Sequence, residues 1–175
     1  MEPDIYTRRL RLRKPVLADA RDIFYRYATD AEVTRYLAWR PHESEQVTID
    51  FLRQCRSGWE KTTGFTWVLE MDGSGVIGMI DIHSLSETGG ALGFVLARSY
   101  WGRSLMTEAA RSVASLAREH GIRLRSYVHA DNLASIKVLK NAGLERVGLF
   151  HKVLFLPNLG MEDRQPGVLF EEPMV

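Results

Sequence analysis

One cysteine, Cys55, stands in 175 residues, so no intrachain disulfide can form and nothing requires an oxidising compartment. Neither sign of charge is in useful excess. The 23 Lys and Arg residues against 22 Asp and Glu leave a formal net charge of +1, which argues against a polyanion such as nucleic acid as partner. No apolar run approaches the roughly 18 residues of a membrane helix. The N-terminal stretch lacks the basic-then-apolar order of a secretory leader. No repeat period and no low-complexity tract is visible. These absences point to a cytoplasmic protein that works without nucleic acid or membrane, and they leave a homodimer open. What is present suits one domain over residues 1–175: hydrophobic residues make up 45%, enough for a full core at this length.

Periodicity divides the chain. Tyr6 to Lys14 alternates, with Leu10 and Leu12 on one side and Arg9, Arg11 and Arg13 on the other, and reads as a half-buried strand with a basic face. Ala20, Ile23, Phe24 and Tyr27 have helical spacing, and Asp30 opens a second short piece. The loop Ala38 to His42 follows, and then a helix that Ser44 can cap, with Val47, Phe51, Leu52, Cys55 and Trp59 on one face. That face makes Cys55 a core thiol rather than a nucleophile. Phe65 to Met71 and Val76 to His83 read as a hairpin around Asp72-Gly73-Ser74-Gly75. Ser84 to Gly90 is a polar connection. Ala91 to Ala97 is apolar almost throughout, as expected of a strand covered on both faces.

From Gly93 to Gly121 a strand feeds a tight turn and then a long amphipathic helix, about Arg103 to His120. A turn into a helix N-terminus leaves backbone N–H groups without intrahelical acceptors, and with the helix dipole they make an anion site. Ile122 to His129 is a strand. Asp131-Asn132 opens another helix that ends at Gly143, and strands at Leu144 to Leu156 and Gly167 to Glu172 close the order. The fold class expected is α/β: a mixed, mostly antiparallel sheet of six to seven strands with helices on both faces.

The residues Gly93-Phe94-Val95-Leu96, the run Tyr100 to Ala109, and Asn132-Leu133-Ala134-Ser135 followed by Asn141-Ala142-Gly143-Leu144 resemble motifs of the GNAT N-acetyltransferases. Within that superfamily the chain is similar to the ribosomal-protein (alanine/serine) type, which also includes acetylators of amino acids and antibiotics. Leu10 to Arg13, Asp19-Ala20 and Trp39-Arg40-Pro41 extend the resemblance over nearly the whole chain.

The resemblance implies an N-acetyltransferase with acetyl-CoA as cosubstrate and no metal, acting on a peptide α-amine or a small-molecule amine by direct attack on the thioester. It implies a coenzyme site built from Phe94, Val95, Leu96, Trp101, Gly102, Arg103, Ser104, Leu105, Met106, Thr107, Asn132 and Ser135, with the pyrophosphate on the N–H groups of Gly102 to Met106. The N–H groups of Val95 and Leu96 are candidate oxyanion donors. Ser135 is the candidate proton donor to the departing thiolate, although it and Asn132 also suit a plain helix cap. Trp39, Arg40 and His42 would wall the acceptor, with Arg40 available to a substrate carboxylate. Many relatives carry a glutamate two residues before the central-strand glycine, where this chain has Ala91. His83 is the replacement base favoured by residue type, ahead of Asp81 and Glu70. Ser104 stands where the family usually has glycine, and is expected in the first helical turn, with its N–H still available. A non-catalytic acyl-CoA-binding or sensing protein, and a transferase of another acyl group such as succinyl, are the competing readings.

Overall fold

The computed structural model describes residues 1–160 and 163–173. The elements, in order, are β1 (Asp4–Tyr6), β2 (Arg11–Arg13), α1 (Ala20–Ile23), α2 (Ala31–Thr34), α3 (Glu45–Lys61), β3 (Phe65–Met71), β4 (Gly75–Ser86), β5 (Gly89–Leu96), α4 (Leu105–Glu119), β6 (Leu124–Val128), α5 (Leu133–Asn141), β7 (Glu145–Leu154) and β8 (Gln165–Glu171). A 3₁₀ turn, Leu17–Asp19, and a π turn, Phe24–Ala28, flank α1. The strands form one sheet in the order β1-β2-β3-β4-β5-β6-β8-β7. Among the described residues only β5 and β6, joined through α4, pair in parallel.

The eighth strand comes from the N-terminus. The single strand expected over Tyr6 to Lys14 is a hairpin, with Asp4 to Tyr6 paired antiparallel to Arg11 to Arg13. The basic face is consequently not a free patch. Arg11 meets Asp4 and Glu70, and Arg13 forks onto the buried Asp19 at 2.7 and 2.9 Å while also reaching Glu70. This removes Glu70 from the candidate bases. Arg9 lies in the turn and clamps Glu108 in the first turn of α4. The connection Ser84 to Gly90 also tightens: β4 runs on to Ser86 and β5 begins at Gly89. Ser44 holds the N-cap position of α3, but its side chain makes no cap bond.

The sheet has a core on each face, and strand alternation decides which residue serves which. Trp67 and Leu69 of β3, Ile80 and Ile82 of β4, and Leu92 and Leu96 of β5 pack under α4 and α5, against Leu105, Ala109, Val113 and Leu139. Val68 and Met79 face the other way, onto Ile23, Tyr27, Leu52 and Cys55. The burial of Cys55 pushes its thiol up to about 11, as a core residue requires. No helix among the described residues is long and apolar enough to cross a membrane.

Two side chains in this frame carry stability predictions. The Tyr27 hydroxyl is buried without a hydrogen-bond partner among the described residues. Tyr27→Phe should therefore leave the thermal midpoint unchanged or raise it, because an unsatisfied buried hydroxyl costs about 1–3 kcal/mol. A midpoint that falls by several degrees would show that the hydroxyl has a partner. Burial pushes the Glu108 carboxyl up, but hydrogen bonds from the Thr7 hydroxyl (2.7 Å) and the Arg9 side chain (2.7 Å) and backbone (2.9 Å) outweigh it and hold it below the ordinary glutamate value. A depressed carboxyl stabilises above its unfolded pKa, and that stability is lost as the pH falls through the folded value. Glu108→Gln should thus cost about 1 kcal/mol at pH 7 and little once wild-type Glu108 is protonated, as read from urea midpoints across that range.

Candidate functional site

The central strand β5 parts from β6 almost at once. The two pair at Gly90 with Leu124 and at Ala91 with Arg125, and no further pairs follow. Beyond that point the Ser126 hydroxyl, itself buried, bridges the opening by donating to the Leu92 carbonyl at 2.9 Å. The direction of the β5 amides follows from alternation. The N–H of Gly90 donates toward β6, to Arg123, whereas the N–H of Ala97 donates toward β4, to Ile77. Even-numbered residues of this strand therefore turn their N–H groups into the fork. Phe94 and Leu96 do so, and the N–H of Val95 belongs to the β4 ladder, opposite Met79. The oxyanion candidates are Phe94 and Leu96, which corrects the expectation for Val95.

A cavity opens on each side of the fork. The first, about 500 Å³, lies between β5, the turn before α4, and the start of α5. The second, about 550 Å³, lies on the α3 side of the sheet. Tyr36, Leu37, Phe94, Val95, Asn132 and Ser135 line both, so the two meet at the fork. This explains why Gly93 to Val95 are only half buried although their sequence reads as a fully covered strand.

The turn before α4 builds the mouth of the first cavity. The N–H groups from Gly102 through Thr107 have no acceptor among the described residues, and the first bond of the helix is Glu108 N–H to the Ser104 carbonyl. They are the free donors of a helix of 15 residues, at its positive end. Trp101 is pinned in place by its indole N–H, which donates to the Leu96 carbonyl at 2.7 Å. This bond ties the turn to the end of β5 and leaves the ring as a wall of the cavity. Leu105 and Met106 bury their side chains in the core and offer only backbone. The Arg103 side chain stacks over Tyr100 and does not line the cavity. Ser104 departs from expectation. It is not in the first helical turn: it is the N-cap, with φ 58° and ψ 16°, and its side chain caps nothing. A Cβ in the left-handed region costs about 1–2 kcal/mol, the penalty that a glycine here would avoid.

At the start of α5, Asn132 caps the helix by accepting the Ser135 N–H on its side-chain oxygen at 3.1 Å. The cap uses the Ser135 backbone only. Its hydroxyl has no hydrogen bond among the described residues and faces the meeting of the two cavities. Cap and functional group are thus separate atoms of one residue.

The second cavity is mostly apolar. Trp39 and His42 line it, their rings 5.0 Å apart, and the loop that carries them is stapled by the Asn158 amide, which donates to the carbonyls of Thr34 and Trp39 at 2.7 Å each. The His42 ring is bonded to the Thr48 hydroxyl, and burial pushes its pKa below the ordinary value, so it is neutral at pH 7. Arg40 is exposed and lines neither cavity, which removes it from the acceptor wall. His83 is exposed at the rim, beside the Ser84 hydroxyl and opposite Ala91 in the ladder.

Asp81, two residues back on β4, lies opposite Gly93. A Cβ added at Gly93 would come within 2.5 Å of the Asp81 carboxylate, so the missing side chain is what lets the carboxylate lie across β5 toward the fork. No hydrogen bond or ion pair among the described residues engages it. Burial raises its pKa above the ordinary aspartate value, and nearby His83 only partly opposes this. Sequence reasoning ranked it below His83 because the period of a strand does not say which residue a neighbouring glycine uncovers. The Gly93 motif was itself the available signal.

Sequence comparison finds that residues 9–145 match the model of the acetyltransferase (GNAT) domain family. No curated protein is significantly similar in sequence. Solved structures share the fold. An acetyltransferase of the GNAT family from Bacillus anthracis superposes with a TM-score of 0.81 at 20% identity, over 96% of each chain. The ribosomal-protein-S5-alanine acetyltransferase from Vibrio fischeri gives 0.83 at 17%, over 98% of this chain and 96% of that one. A ribosomal L7/L12 alpha-N-protein acetyltransferase in complex with coenzyme A gives 0.86 at 14%, over 98% of both. The family match spans most of the chain and falls on the very elements that part to form the fork; the chain belongs to the GNAT acetyltransferases.

Proposed function

We propose that this chain moves an acetyl group from acetyl-CoA to an amine bound in the cavity on the α3 side. The observation that carries the reading is the fork itself: a strand with unpaired N–H groups passes between two cavities, one with a helix N-terminus at its mouth and one with a carboxylate on its wall. The pyrophosphate sits on the N–H groups of Gly102 to Thr107. The pantetheine arm lies along β5 with Asn132 beside it, and the thioester reaches the fork. The amine nitrogen attacks the thioester carbon, and the charge that develops on the carbonyl oxygen meets the N–H groups of Phe94 and Leu96. One such donor contributes about 2.7–4 kcal/mol. The docked ammonium first gives one proton to Asp81, which frees the lone pair for the attack; the C–S bond then breaks, and the thiolate takes a proton from the Ser135 hydroxyl, which recovers one from the nitrogen as the amide forms. A carboxyl whose pKa burial raises above the ordinary aspartate value suits that task better than the exposed His83.

Free thiol release from acetyl-CoA in the presence of an amine panel tests this reading. Coenzyme binding with no thiol release for any amine would assign the chain to acyl-CoA binding without turnover. Ser135→Ala should lower kcat by about 10²-fold or more with acetyl-CoA affinity unchanged; an unaltered kcat would reduce Ser135 to its cap. Ser104→Gly relieves the left-handed backbone, and should raise the urea-unfolding free energy by about 1 kcal/mol while leaving coenzyme affinity equal or tighter. A loss of stability in that variant would mean that the serine side chain does work the geometry does not reveal.

A further inference from the structure

The charged groups on the second cavity describe what it can accept. Asp81 is the one carboxylate that lines it among the described residues; His83 is near it, and no ion pair or hydrogen bond among those residues engages it. His42 is neutral at pH 7, Cys55 stays a thiol, and His83 sits on the rim. His129, which also lines the cavity, follows β6 and stacks on Tyr36, 3.8 Å from Asp131. The remaining cation, Arg164, comes from the connection between β7 and β8, beyond β5 and β6 in the sheet. The rest of the lining is largely apolar and includes Tyr27, Trp39, Phe51, Met79, Val95 and Leu156. Arg40, the residue the sequence offers for a substrate carboxylate, is outside.

Resting on the acetyltransferase reading, we infer that the acceptor is a primary amine with an apolar body and no carboxylate near the nitrogen, its ammonium docked on Asp81. A cation brought to the half-buried, unpaired carboxylate satisfies both charges. A free α-amino acid carries its own carboxylate two bonds from the amine. Docked in the same way, it places that carboxylate about 4–5 Å from Asp81 in largely apolar surroundings, where two like charges repel and neither is fully solvated. The amide of the same amino acid, a simple arylalkylamine, or the α-amine of a peptide escapes this penalty. The cavity volume of about 550 Å³ holds an aromatic side chain together with its amine.

The test compares phenylalanine, phenylalaninamide, phenethylamine and a tripeptide amide beginning with phenylalanine, read by thiol release from acetyl-CoA. The amide should exceed the free acid in kcat/KM by about tenfold or more. The relative rates of phenethylamine and the tripeptide separate a small-molecule acceptor from a peptide terminus. Binding of the same compounds to the CoA-loaded protein gives a second readout that does not depend on turnover. There, Asp81→Asn should weaken phenylalaninamide by about tenfold, narrow the gap between amide and acid, and leave CoA affinity unchanged. Equal or better use of free phenylalanine overturns the inference, as does an Asp81→Asn protein that keeps full discrimination. Failure to bind acetyl-CoA at all would instead overturn the reading beneath it.

Discussion

The structure depends on the early parting of two parallel strands. After Ala91 and Arg125 the ladder between β5 and β6 stops, and the amides of Phe94 and Leu96 lose their partner. Unpaired backbone amides inside a protein are costly unless water or a ligand reaches them. Cavities on both faces supply that access, and a single buried side chain, Ser126, braces the opening. The fork thus exchanges sheet hydrogen bonds for a slot lined with donors.

Everything around the slot acts to hold its edges. Trp101 fastens the anion-binding turn to the last residue of β5, so the free N–H groups of α4 keep a set distance from the fork. The N-terminal hairpin is clamped to the same helix through Arg9 and Glu108. On the opposite wall, Asn158 reaches from the β7–β8 connection to staple the Trp39 loop. The last two fastenings join segments distant in sequence, and all three set a side-chain donor on a carbonyl or carboxylate. The acceptor side is otherwise apolar, and its lone carboxylate owes its position to the absence of a side chain at Gly93.

Much of this architecture was legible in the chain. The amphipathic periods of α3 and α4 and the strand Phe65 to Met71 fell where the pattern placed them, because each is long enough for its period to dominate. The N-terminal strand was misread because Tyr6 to Lys14 keeps alternating through a turn: the Thr7 hydroxyl closes it onto Leu10, and nothing in the alternation marks the reversal. The free donors of the turn before α4 were legible because they belong to backbone and need only a helix start. Ser104 was placed in the wrong conformation because its left-handed φ is imposed by how the chain enters the helix, which a short polar residue tolerates without advertising it.

The sequence by itself determined the order of strands and helices after the N-terminal hairpin, most of the residues facing the core, and the free backbone donors of the turn before α4. These follow from local period, capping and backbone chemistry, all of which act within a few residues. Tertiary structure alone decided that β5 and β6 part, that the amides of Phe94 and Leu96 rather than Val95 open into the gap, that Arg40 faces solvent, and that Asp81 is more buried in the second cavity than His83. Each of these rests on the register between segments far apart in the chain. A shift of one residue in such a register turns a side chain or an amide to the opposite side, and no local pattern encodes that choice.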